Sequence, residues 1–228
     1  MNFVRRHWYD IGLGIAVTLL LTEVFLRFDG LRLILLLNLV VLLVHQFEEY
    51  HLPGGEPWVI NEVFQPKGGP ADRYPLNQNN AAFINIAGWL FYAIAIFAPS
   101  IVWLGLAPVL FGFGQLFIHG IVNNRQLKTL YNPGPAAVIL GHTPLGIWYL
   151  VEAYGQSLVH WWDWAFAVVY LAFFMGFVMN FLGYGVLASK ESKYPFTHVE
   201  MTRFDRIRRL ERAGVVPLPL DPPATVTE

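Results

Sequence analysis

In this chain of 228 residues, 55% are hydrophobic, 16% aromatic and only 14% charged, whereas a soluble globular domain is usually about a quarter charged. The formal charge of −1 gives no electrostatic case for nucleic acid, and the absence of cysteine excludes disulfides, thiolate metal sites and cysteine nucleophiles. Mean hydropathy is +0.45, and the apolar residues come in blocks of about twenty, the length that crosses a bilayer as a helix. The expected fold is all-α, a polytopic transmembrane bundle.

Six spans are read in chain order: Tyr9–Phe28, Leu31–Tyr50, Asn80–Ala98, Ile101–Val122, Ala136–Tyr154 and Trp161–Ala188. The first has no small-residue cleavage pattern after it and reads as a retained span. Asp29-Gly30 forms a tight hairpin, Pro99 separates the third span from the fourth, and Asn132-Pro133-Gly134-Pro135 leads into the fifth. Pro144 removes a helix hydrogen bond close to His142, so a kink is expected there. Of the fifteen Lys and Arg, thirteen fall on the side of the N-terminus and two, Arg27 and Arg32, on the other. The positive-inside rule then puts both termini in the cytoplasm, with Trp161, Trp162 and Trp164 in the outer belt. Residues 1–195 form the bundle. Within it, the Pro- and Gly-rich connection 52–79 reads as a lid, a substrate entrance or a plain loop. In 196–228, residues 197–213 pattern as an amphipathic helix with Val199, Phe204, Ile207 and Leu210 on one face. Its arginines would meet anionic inner-leaflet lipids, and a Pro-rich tail follows.

The chemistry gathers in one leaflet. Leu31–Val44 carries no charge, yet His45, Glu48 and Glu49 follow on the same helix. Such groups are costly in hydrocarbon unless paired, protonated or bound to metal. The spacings i+3 and i+4 place both carboxylates on the side of His45. On the fourth span, His119 lies ~27 Å from the outer start at ~1.5 Å per residue, level with Glu49. Asn85, Asn123, His142 and Asn180 reach the same leaflet as substrate or supporting contacts. His45, Glu48, Glu49 and His119 are therefore the candidate catalytic residues and ligands of a divalent ion. That ion would be zinc, iron or manganese. One ion is favoured over two, because Glu23 and Glu152 sit nearer the outer side.

Three functions compete. The first is a metal-dependent enzyme, hydrolase or oxygenase, that takes a hydrophobic or amphiphilic small molecule from the cytoplasmic leaflet. The second is a cofactor-free isomerase, cyclase or epoxide-opening enzyme, with Glu48 and Glu49 acting as a protonated acid beside an ionised base. The third is a proton- or cation-coupled transporter or lipid binder. Pairing of Glu and His for packing alone is the bland alternative.

His45-Gln46-Phe47-Glu48-Glu49, then His119 late in a span, then Tyr131-Asn132-Pro133-Gly134 before the next span, resemble the HXXEE-domain family of small bacterial membrane proteins over roughly residues 15–185. The resemblance implies a multi-pass protein of the bacterial inner membrane in which His45, Glu48, Glu49 and His119 belong together. It does not imply a reaction.

Overall fold

The computed structural model describes residues 2–64 and 67–204. Among the described residues, six helices are long and apolar enough to cross a membrane: α1 (Asn2–Leu26), α2 (Gly30–Tyr50), α4 (Gln78–Phe97), α5 (Val102–Leu127), α6 (Pro135–Gly155) and α7 (Trp161–Val186). Among the described residues there are also two short helical segments. The first, α3, is Glu56–Trp58 continued by a π-helical turn, Val59–Phe64; the second, α8, is His198–Thr202. The six spans follow the hydropathy pattern. However, α1 starts at Asn2 and not Tyr9, and α5 continues to Leu127, because a π-helical turn at Ile118–Asn123 carries the helix past Val122.

Span α2 is the axis of the bundle. It packs against α1, α4 and α6, while α5 packs against α6 and α7. Of the most apolar stretch of α2, 61% is buried, against 17% in α1 and 11% in α7. Polar groups late in α2 are therefore enclosed by protein, the one setting in which a membrane helix carries them at tolerable cost. Leu35, Leu43, Phe91, Leu106, Tyr149 and Phe174 belong to the main apolar core. A second core lies at the end of the bundle that carries the 51–77 connection, called the loop end below. It includes Trp8, Tyr50, Trp58, Leu76, Phe196 and Met201.

The connection is built, not slack. Asn61 donates to the carbonyls of Ala71 and Leu76 and accepts from the Leu76 N–H, which ties the loop across its width. Asn77 and Asn80 form a reciprocal capping box that starts α4. Helix α8 lies on α3, and Arg203 reaches the Tyr50 carbonyl at 2.6 Å. In this segment Met201 and Phe204 are buried and Val199 is exposed, so the expected shared face of Val199 and Phe204 does not form. The remainder of the expected amphipathic helix, 205–213, lies outside the described residues.

Candidate functional site

Late in α2, His45 and Glu49 stand one turn apart and face His119, which the π-helical turn of α5 carries. The two histidines are 2% exposed and Glu49 is 12% exposed. His45 Nε2 is 3.3 Å and His119 Nε2 is 3.2 Å from the same oxygen, Glu49 Oε1. All three atoms lie within 4.8 Å of one another, and the imidazole rings meet edge to face with centroids 5.0 Å apart.

The other ring nitrogens decide where the protons are. His45 Nδ1 is 3.0 Å from the Gly134 carbonyl oxygen, which only accepts, so Nδ1 carries the hydrogen. His119 Nδ1 is 3.0 Å from Asn132 Oδ1. The Asn132 amide nitrogen is committed to the His119 carbonyl and to Asn124 Oδ1, each at 2.7 Å, so its oxygen is the atom that faces the imidazole. In their neutral form both histidines therefore turn an Nε2 lone pair toward a carboxylate oxygen. His45 Nε2 has no hydrogen-bond partner. A single proton relieves only one of these acceptor–acceptor contacts, whereas one cation at the centre satisfies all three donors. Two imidazoles and a carboxylate, each imidazole oriented through its second nitrogen by a carbonyl, fit a divalent transition-metal ion.

The loop before α6 sets this arrangement. Gly134 has φ +114, which favours glycine, and a Cβ there would lie 2.7 Å from His119 Cε1 and 2.8 Å from His45 Cε1. Pro135 opens α6 without an N–H to satisfy. The next two N–H groups, of Ala136 and Ala137, go to Glu48 at 3.0 and 2.8 Å, and Glu48 also accepts from the Tyr131 hydroxyl at 2.6 Å. Glu48 is thus a cap for α6 and stands outside the cluster. This corrects its expected place as ligand or base. Residues 48 and 49 point about 100° apart around a helix, so only one of them can face His45 and His119 squarely. The expected Glu48/Glu49 acid–base pair is split for the same reason.

The other expected residues separate as follows. His142 sits in the π-helical turn Val138–His142, just before Pro144, where the irregularity was expected. Its Nδ1 is 2.6 Å from Asn38 Oδ1, its ring is 5.9 Å from that of His45, and it is not one of the three clustered donors. Asn123 is buried one turn beyond His119, with neither side-chain polar atom partnered, and does not line the cavity described next. Asn85 and Asn180 do line it.

This cavity, about 240 Å³, opens beside the triad and is walled by α2, α3, α4, α5 and α7. Leu42, Ile84, Phe111 and Phe174 give it apolar walls; His45, Gln46, Glu49, Glu56 and His119 give it a polar end. Met175 and Asn180, both exposed on α7, bring it to the outside of the bundle. Glu56, delivered by the loop, is the residue that sequence reasoning missed. It is 3% exposed, and its Oε2 has no partner. Burial, with the Glu49 carboxylate nearby, pushes the Glu56 carboxyl well above the usual carboxylate range.

The family model described as "protein of unknown function with HXXEE motif" matches residues 36–149. The chain belongs to this family. The match is narrower than the 15–185 suggested by the motifs; it takes in His45, Glu49, His119 and the Asn132–Gly134 turn, and leaves out α1, α7 and α8. No curated protein and no solved structure matches the chain.

Proposed function

We propose that the chain is a mononuclear metal-dependent enzyme of the bacterial inner membrane that acts on a hydrophobic or amphiphilic small molecule taken from the cytoplasmic leaflet. The observation that carries this reading is the convergence of two Nε2 atoms on one carboxylate oxygen, with both Nδ1 atoms facing carbonyl oxygens elsewhere. His45, Glu49 and His119 hold the ion. Gly134 and Asn132 fix the imidazole tautomers and orientations. With Glu48 turned away, a single carboxylate joins the cluster, which supports one ion over two.

A divalent ion at this position supplies Lewis acidity toward a polar oxygen, or activation of water or dioxygen, in hydrolase- or oxygenase-type chemistry. The chain supplies the rest. Leu42, Ile84, Phe111 and Phe174 hold the apolar part of the substrate and exclude water, while Glu56 gives or takes a proton at Oε2. The exposed Met175 and Asn180 mark the side from which a membrane-dissolved molecule enters. Arg206, Arg208, Arg209 and Arg212 favour anionic lipids at the cytoplasmic face.

Against a transport path stands the separation of the cavities. Among the described residues, the groove at the opposite end, lined by Asp29, Arg32, Glu152 and Gln156, shares no lining residue with the triad cavity. The test is elemental analysis of freshly purified full-length protein. Wild type is expected to carry one ion per chain; His45→Ala and Glu49→Ala are expected to lose it while keeping their helical circular dichroism. Metal-free wild type overturns the proposal.

A further inference from the structure

We infer that Gln115 is the residue that selects the substrate, a neutral amphiphile with two oxygen functions: one at the triad and a second, hydroxyl or carbonyl, about one helical turn away at the Gln115 amide. This rests on the proposed function for the site and names the substrate class it serves.

Size comes first. A dry cavity of about 150 Å³ holds a benzene ring in another protein, so the 240 Å³ here suits about ten heavy atoms on the same scale. The polar groups around it fall into two sets. His45, Glu49, Glu56 and His119 make the polar end, and the Tyr50 and Tyr184 side chains stand close enough to Glu49 and Glu56 to feel their charge. These two hydroxyls therefore belong with the first oxygen of the substrate. The other polar groups on the wall are four amides, Gln46, Asn85, Gln115 and Asn180.

Three of the four amides are spent on the fold. Gln46 donates to the Asn85 carbonyl, and its oxygen accepts from the Trp89 indole at 2.6 Å. Asn85 donates to the Ala81 carbonyl and meets the Tyr50 hydroxyl, and Asn180 donates to the Met175 carbonyl. Gln115 differs. It is half-buried and lines the cavity, yet among the described residues nothing hydrogen-bonds its side chain. It lies four residues before His119 on α5, on the same helix face and about 6 Å along the axis toward the middle of the span. Phe111, a turn further on, and Ile118 flank it on this wall, and Phe111 meets Phe174 edge to face. An amide among such neighbours gains most from a ligand that bonds it, since no protein group does so. The amide is neutral and both donates and accepts: a hydroxyl answers both halves, a carbonyl the N–H half. Hydroxyls on the first and fifth carbons of a chain stand at a separation comparable to that between His119 and Gln115.

The experiment uses full-length protein in lipid nanodiscs, titrated calorimetrically with octan-1-ol, octane-1,5-diol and octane-1,8-diol, with metal content and circular dichroism measured on the same samples. Wild type is expected to bind the 1,5-diol about tenfold tighter than the 1,8-diol, whose second hydroxyl lies beyond the amide. Gln115→Met keeps the length of the side chain and removes the amide. It should weaken the 1,5-diol about tenfold and leave octan-1-ol and the metal content as in wild type. Comparing each probe with itself across the two proteins cancels its partition into lipid. Gly88→Val tests the location independently of Gln115. A Cβ at Gly88 faces Leu42 and Phe174 at 3.8 Å, so a larger side chain there should weaken octan-1-ol and the 1,5-diol together, about tenfold. Two diols that bind wild type equally overturn the inference. So does a folded Gln115→Met protein that keeps the 1,5-diol or loses both probes alike, or a Gly88→Val protein that binds both unchanged. Metal-free wild type that still separates the diols sinks the metalloenzyme reading alone. Metal-loaded protein that does not separate them sinks this one alone.

Discussion

Replacing Gly134 by alanine would put a methyl group between the two histidines. Its carbon would stand 2.7 Å from His119 Cε1 and 2.8 Å from His45 Cε1, where ordinary contact begins at 3.4 Å. The rings must withdraw by about 0.7 Å, or the loop must move, and φ +114 adds about 1–3 kcal/mol of backbone strain for a residue with a Cβ. Metal–nitrogen bonds tolerate about 0.2 Å, so the ion cannot keep both Nε2 atoms at bonding distance. Disturbing the groups that orient metal-binding histidines typically costs about 10–100-fold in affinity, and this change disturbs both at once. Competition with a chelator of known affinity, read on detergent-purified protein with circular dichroism as the control for folding, measures the loss. A Gly134→Ala protein that is folded and holds its metal as tightly as wild type would refute the assignment of the loop as the element that sets the site.

Further outcomes follow from the same contacts. Asn132→Ala removes the acceptor of the His119 Nδ1 hydrogen and is expected to weaken metal binding about 10–100-fold, measured by the same competition. Glu48→Ala uncaps α6 and strands the Ala136 and Ala137 N–H groups; thermal unfolding should show a loss of about 1–3 kcal/mol, while metal stoichiometry stays at wild type. Burial, followed by the hydrogen bond to Glu48 and the charge of Glu48, raises the Tyr131 hydroxyl above its ordinary value. Its contribution to stability is therefore complete below about pH 10, the unfolded value, and declines as pH rises toward the folded one. Unfolding followed from pH 8 to pH 11 should decline more steeply in wild type than in Tyr131→Phe; equal slopes would remove Tyr131 from the account.

The spans were legible because uninterrupted apolar blocks and punctuation at Asp29-Gly30, Pro99 and Pro135 leave little freedom. So was the meeting of His45, Glu49 and His119, since helix rise alone brings them level. What the spacing could not decide was which of Glu48 and Glu49 faces inward. Both are near neighbours of His45, and the choice depends on α6, whose N-terminus claims Glu48. The Tyr131–Gly134 turn was visible as a motif, but its task was hidden because it acts through carbonyl oxygens on residues thirteen and 89 positions away. Glu56 was out of reach altogether. It sits in an aperiodic Pro- and Gly-rich stretch, and only the tertiary fold carries it to the cavity; Gly55-Glu56-Pro57 is a weak helix-start signal at best.

The most direct measurement is X-ray absorption at the metal edge of freshly purified wild-type protein. The expected spectrum is that of one ion per chain with two imidazole nitrogens at about 2.0–2.1 Å and a carboxylate oxygen at about 2.0–2.2 Å, if the ion is zinc, and without a second metal nearby. Protein that contains no metal, or an ion whose spectrum lacks imidazole scattering, would contradict the account at its centre.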